Sequence, residues 1–197
     1  FRAYAERLQQ ELGIAPGSAL KALHDGLGNT TPAPPAPGTG PPPQALEPDP
    51  GFVGRATELQ RITELLAQDD CRLLCLIGPG GVGKTRLARR AMQLMAAGFA
   101  DGAAFVPLED VARTAEVGTQ LAAALGLALS GKGASLDEVR RLLAPRHALL
   151  VLDNFEHVRE AATDVVQSLL SRLPQLHLLV TSRTVLGLDG ECEYVLS

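Results

Sequence analysis

GPGGVGKT, residues 78–85, is the stretch from which the rest of the chain can be read. It fits G-x-x-x-x-G-K-[ST] at every fixed position: Gly78, four residues, then Gly83, Lys84 and Thr85. The apolar run Leu73-Leu74-Cys75-Leu76-Ile77 leads in. Arg86 to Met95 leads out, with Leu87, Ala88, Ala91, Met92 and Met95 spaced for one helical face. The glycines therefore sit between a buried strand and a helix, the setting in which this spacing carries chemical meaning. Without Cβ atoms, successive backbone N–H groups can curl around a phosphate, and the helix start adds partial positive charge. In such a loop the Lys84 ammonium reaches the β- and γ-phosphates, and the Thr85 hydroxyl ligates Mg²⁺. An ordinary Gly-rich turn could match some of these positions. The complete set in these flanks reads as a nucleoside-triphosphate site.

Outward from the loop, apolar strands alternate with amphipathic helices. Phe52-Val53-Gly54-Arg55 precedes a helix with Leu59, Ile62, Leu65 and Leu66 on its apolar side, ending near Asp69-Asp70. After the loop helix, Ala103 to Leu108 reads as a second strand, and Val117, Leu121, Ala124 and Leu125 as a helix face. Ser135-Leu136-Asp137-Glu138 is a capping box, opening a short helix that Pro145 ends. Ala148-Leu149-Leu150-Val151-Leu152 is a third strand, residues 158–173 a helix, and Leu176 to Val180 a fourth strand. Tyr194-Val195-Leu196 begins a fifth. Strands that are apolar throughout, separated by helices, specify an α/β domain with a mostly parallel sheet flanked by helices. Ligand is expected at the carboxyl ends of those strands.

The N-terminal quarter is different. Phe1, Tyr4, Ala5, Leu8 and Leu12 form one helical stripe, Gly13 stops it, and Ser18 caps a second helix carrying Leu20, Leu23 and Leu27. Residues 1–27 thus predict an α-helical hairpin, too small to bury its stripe alone and read as the end of a larger helical domain. Beginning at Phe1 inside a helical pattern, the chain is read as a fragment. Residues 28–50 hold nine prolines and no apolar period, which predicts a disordered linker leaning to polyproline II. Residues 51–197 form the nucleotide-binding domain.

Composition narrows the partners. Eighteen basic against 22 acidic residues give a net charge of −4, with no basic footprint for nucleic acid in either part. The apolar runs are strand-sized, so no membrane partner is expected and the chain is read as cytoplasmic. Cys71, Cys75 and Cys192 show no metal spacing and are read as reduced, packed thiols; the four histidines are scattered.

Three further residues fall at predicted strand ends. Asp153 closes the third strand, where a carboxylate meets the Mg²⁺ held by Thr85. Asn154 follows, where a second acid would polarise the attacking water; an amide orients water but takes no proton. Glu156 is open to two readings, the substitute acid or a solvated acid at a helix start. Arg183 ends Thr181-Ser182-Arg183 and is open to two as well, a surface arginine or a charge-assisted donor to the γ-phosphate.

FVGR with Glu58, GPGGVGKT, LLVLDN and LLVTSR, in that order, resemble the signal-transduction ATPases with numerous domains (STAND), close to the NB-ARC type. The resemblance covers residues 51–197. It implies ATP or ADP with Mg²⁺ as cofactors. Phe52, Val53, Gly54 and Arg55 would lie against the adenine, and Gly78, Pro79, Gly80, Gly81, Val82, Gly83, Lys84, Thr85 and Arg86 around the phosphates. Thr85 and Asp153 would hold the metal, with Arg183 as the sensor; Lys84, Asp153, Asn154 and Arg183 make up the catalytic set. Residues 1–27 resemble the last helices of a bacterial transcriptional activator domain, so the whole resembles an antibiotic-regulatory-type transcriptional regulator. That implies DNA binding only through a domain outside this chain, and self-association in the triphosphate state. Three functions remain open at this stage: a regulatory switch with slow hydrolysis, which is favoured, a turnover ATPase or phosphotransferase, and an interaction module that does not hydrolyse.

Overall fold

Five largely apolar segments pair into one sheet in the computed structural model, which describes residues 52, 54–68, 70–111, 114–127 and 135–197. The hairpin and linker expected for residues 1–50, and Val53, lie outside the described residues. The elements in chain order are α1 (Ala56–Leu66), β1 (Leu73–Ile77), α2 (Lys84–Met95), β2 (Ala103–Pro107), α3 (Thr114–Ala124), α4 (Leu136–Leu143), β3 (Ala148–Asp153), α5 (Arg159–Arg172), β4 (Leu176–Ser182) and β5 (Glu191–Val195). Short 3₁₀ turns at Ala96–Gly98 and Phe155–His157 complete them. The order across the sheet is β2-β3-β4-β1-β5, and every pairing is parallel, as the alternation predicted.

The period-2 pleat explains why these strands are apolar on both sides. Leu73, Cys75 and Ile77 of β1 enter a core shared with Val117 and Leu121 of α3, Val139 and Leu143 of α4, and Val165, Val166 and Leu169 of α5. Leu74 and Leu76 enter the other core, with Ile62 and Leu66 of α1 and Leu87, Ala88, Ala91 and Met92 of α2. The result is three layers, with α1 and α2 on one face and α3, α4 and α5 on the other. The N-cap of α4 forms as its residues imply: the Ser135 hydroxyl accepts from the Glu138 N–H at 3.1 Å.

Two strands depart from the sequence reading. β4 continues through Thr181 and Ser182, which pair with Leu76 and Ile77, so polar identity does not end a strand whose ladder partner continues. β5 starts at Glu191 rather than Tyr194 and is not apolar throughout. Lying at the sheet edge beside β1, it packs Cys192 and Tyr194 against the second core and leaves Glu193 and Val195 exposed, the alternation of a half-covered strand.

Cys71 and Cys75 are fully buried, and Cys192 is half-buried. Burial, then the hydrogen bond to the Cys192 thiol, pushes Cys71 up to about 12. Burial, then Glu191 beside it, raises Cys75 well above the usual thiol range. Raised values mean little thiolate at pH 8, and the thiolate is the reactive form. Iodoacetamide at pH 8 is therefore expected to modify Cys192 of the native protein well before Cys71 or Cys75, read by peptide mass mapping. Equal labelling of all three without loss of fold would contradict this packing.

Candidate functional site

The carboxyl edge of β1, β3 and β4 gathers the polar residues that the core excludes. β1 ends at Ile77, and the chain turns at Gly78, whose close neighbours require glycine: a methyl group there would stand 2.8 Å from the Leu196 carbonyl oxygen. Gly81 and Gly83 have φ of 80° and 95°, backbone that side chains seldom adopt. Gly83 is the residue before α2, so the loop runs directly into the helix start. Pro79, Gly80 and Gly81 are exposed, Val82 and Gly83 half-buried.

Lys84, the first residue of α2, is only 8% exposed. Its ammonium donates to the carbonyls of Gly78 at 2.7 Å and Pro79 at 3.0 Å, so the charge lies folded under the loop. Thr85 turns the other way. Its hydroxyl lies 2.9 and 3.1 Å from the two Asp153 carboxylate oxygens. Asp153 is 3% exposed and also accepts from the Thr181 hydroxyl at 2.6 Å. The Thr181 oxygen in turn accepts from the Asn154 N–H at 3.0 Å, so one buried hydroxyl ties the ends of β3 and β4 together. Thr85 and Asp153 offer hard oxygen donors side by side, which suits Mg²⁺. Among the described residues there is no cluster of three or more His, Cys, Asp or Glu for a metal. A cation at Thr85 and Asp153 would take its other ligands from phosphate and water, the usual habit of Mg²⁺.

Asn154 has φ of 59°. Asn enters this left-handed region more readily than most residues, so its backbone role partly explains its presence. Its side-chain amide donates to Glu109 Oε2 at 3.3 Å, across from the end of β2. Arg183 is 60% exposed and donates from Nε to Glu156 Oε1 at 3.0 Å. A methyl group built on Gly80 would stand 3.8 Å from Arg183 Nη2, so the guanidinium lies against the phosphate loop. Glu156 is not the solvated acid of one reading: its side chain is 17% exposed and engaged by Arg183.

On the other side of the loop, Arg55 donates to the Val82 carbonyl at 3.1 Å and to Glu58 at 3.3 Å. Phe52 packs against the second core, and Gly54 is exposed with φ of 79°. Arg86 is exposed on α2. Lys84, Thr85, Asp153, Asn154 and Arg183 thus share one edge, while Arg55 reaches that edge only through Val82. Sequence reading did not pick out Thr181 or Glu109. The signal for Thr181 was a hydroxyl interrupting an apolar run at a strand's carboxyl end. Glu109 likewise stands just past the end of β2.

The family model described as AAA ATPase domain matches residues 51–181. A Mycobacterium tuberculosis protein named an HTH-type transcriptional regulator is 41% identical over 128 residues, covering 64% of this chain and 14% of that protein. The regulatory protein AfsR of Streptomyces griseus is 33% identical over 195 residues, 89% of this chain and 20% of its own length. The chain therefore spans 14% to 20% of the length of these relatives. Among solved structures, the Aeropyrum pernix ORC1 protein in complex with DNA matches at 24% identity and TM-score 0.58, over 74% of this chain and 46% of that one. Drosophila ORC bound to DNA matches at 20% identity and TM-score 0.59, over 74% and 43%. At these identities the structural likeness shows the fold.

Proposed function

From a chain that belongs to the AAA ATPase domain family, we propose a nucleotide-operated switch within a multidomain transcriptional regulator, binding ATP or ADP with Mg²⁺ and hydrolysing ATP slowly. The observation that carries it is the convergence at one sheet edge of the complete phosphate loop, the Thr85–Asp153 pair 2.9 Å apart and the Arg183 guanidinium over Gly80. The Gly80-to-Thr85 backbone N–H groups would cradle the phosphates at the start of α2. Lys84 would exchange part of its bonding to the Gly78 and Pro79 carbonyls for the β- and γ-phosphates. Thr85 and Asp153 would hold Mg²⁺, which when bound supplies charge neutralisation across those phosphates. Arg183 would reach the γ-phosphate, so the triphosphate and diphosphate states differ in free energy by a contact that only one of them makes.

The names of the regulators similar to this chain support placing the switch in transcriptional control. DNA contact would belong to a domain outside these residues, and self-association to the triphosphate state. Residues 1–27 would end a helical domain and 28–50 would link it to the ATPase domain. The adenine would lie near Phe52, Val53 and Gly54, with Arg55 bracing the loop beside it. No helix among the described residues is long and apolar enough to cross a membrane, which is compatible with a cytoplasmic site of action.

A second reading, a turnover ATPase, gains support from Glu109. Its carboxylate stands beside the Asn154 amide and would supply, from just past β2, the second acid that is missing after Asp153. The test compares Mg²⁺-dependent affinity for ATP and ADP with hydrolysis rate in wild type and Glu109→Gln. The switch predicts unequal affinities and a slow rate that Glu109→Gln barely changes. A brisk rate abolished by Glu109→Gln would overturn it in favour of turnover.

A further inference from the structure

The ion pair between Glu156 and Arg183 is placed where stability has little to gain from it. Arg183 is 60% exposed, and pairs this open to solvent contribute little to folding. Glu156 nevertheless sits at a position that is costly for a carboxylate. Its side chain is 17% exposed, and Oε2 is buried with no hydrogen-bond partner among the described residues. The acid is held there by its 3₁₀ turn, whose first residue, Phe155, is fully buried in the core beneath β3 and β4.

The pair is one-armed. Oε1 takes the Nε edge of the guanidinium at 3.0 Å, while Nη2 and Cζ lie against Gly80, 3.8 and 3.9 Å from where a Cβ would stand. A bidentate pair would have given Glu156 two parallel N–H bonds, Nε–H together with a terminal N–H. Held through Nε alone, Arg183 keeps terminal N–H groups for a ligand on the loop.

We infer that Glu156 is a positioning residue for Arg183: gripping Nε, it aims the terminal nitrogens across Gly80 and so sets how strongly the site prefers triphosphate over diphosphate. This rests on Arg183 contacting the γ-phosphate, as proposed above. A long arginine free in solvent loses rotamer freedom when it meets a phosphate, and prior anchoring removes much of that loss. Only the state with a γ-phosphate benefits. The diphosphate contacts, made by Lys84, Thr85 and the loop amides, do not involve Glu156.

The test measures Mg²⁺-dependent affinities for ADP and a slowly hydrolysed ATP analogue in wild type, Glu156→Ala, Arg183→Ala and the double variant. Glu156→Ala is expected to lower the analogue-to-ADP affinity ratio by about threefold to tenfold, through the analogue alone. In the Arg183→Ala background the same change should do nothing further, because the two act as one unit. Glu156→Asp should recover part of the ratio. Glu156→Gln, which keeps the side-chain volume, replaces the alanine variant if that does not fold. An unchanged ratio overturns the inference, as does a raised one, which would make Glu156 a latch that withholds Arg183. An effect that persists without Arg183 overturns it too. Failure of the wild type to bind either nucleotide would instead remove the site reading itself, so the two failures are distinguishable.

Discussion

Lys84→Ala is expected to weaken Mg²⁺-triphosphate binding by about tenfold to a hundredfold while leaving the protein folded. The ammonium is the one buried cation on the loop side of the sheet among the described residues, and a charge-assisted contact to phosphate is worth ~1.5–3 kcal/mol. The substitution opens no apolar cavity, because Lys84 lies under the loop rather than in either core. Its two partners, the carbonyls of Gly78 and Pro79, adjoin an exposed turn where water can replace it. Alanine is also a good helix former, so α2 keeps its start. Fluorescence titration with a labelled triphosphate measures the loss, and the thermal midpoint reports the fold. Equal affinity of variant and wild type would remove Lys84 from the phosphate site.

Asn154→Asp is expected to raise single-turnover hydrolysis, by up to the ~10²–10⁴-fold that a positioned base contributes. The attacking water sheds its proton late, and an amide beside Asp153, the proposed Mg²⁺ ligand, can orient that water without accepting the proton. The exchange suits the backbone: Asn154 has φ of 59°, and aspartate tolerates that region nearly as well as asparagine. It also changes the dealings with Glu109, since the donor at 3.3 Å becomes a second carboxylate. Like charges raise a carboxyl pKa, which moves the introduced acid toward the pH at which a base works best. Thr181 still bonds the backbone N–H at this position, so the end of β3 keeps its place. A rate that stays level or falls, with binding retained, would show that the water is positioned elsewhere.

The residues that sequence revealed best are those whose chemistry demands a fixed identity at a fixed spacing. Gly83, Lys84 and Thr85 are such residues, and so is the Ser135–Glu138 capping box, because both depend on contacts within a few positions. β1 and β3 were visible because burial on both faces leaves an unbroken apolar run. β5 was misplaced for the opposite reason. Its start at Glu191 and its alternation follow from lying beside β1, more than a hundred residues earlier, and nothing local announces an edge. β4 was drawn only to Val180 because the apolar run stops there, while its ladder with β1 carries it through Thr181 and Ser182.

The site divides the same way. Glu109 with Asn154 and Glu156 with Arg183 are pairs 45 and 27 residues apart, made only by folding. Glu156 had two readings from sequence, and its burial and its pairing with Arg183 remove the solvated one. Arg55, placed on the adenine side by resemblance, also turns its guanidinium to Val82 and Glu58, contacts that no local pattern announces. Motif spacing locates the phosphate loop; the groups gathered around it come from other strands.

The proposed switch provides a nucleotide state rather than repeated turnover. It is tested most directly by mixing the wild-type protein in excess with radiolabelled ATP and Mg²⁺, then separating bound from free label over time. The switch predicts that ATP binds fully, is converted slowly, and that the ADP formed stays with the protein. Rapid conversion with ADP released to solution, or no retention of ATP at all, would contradict it.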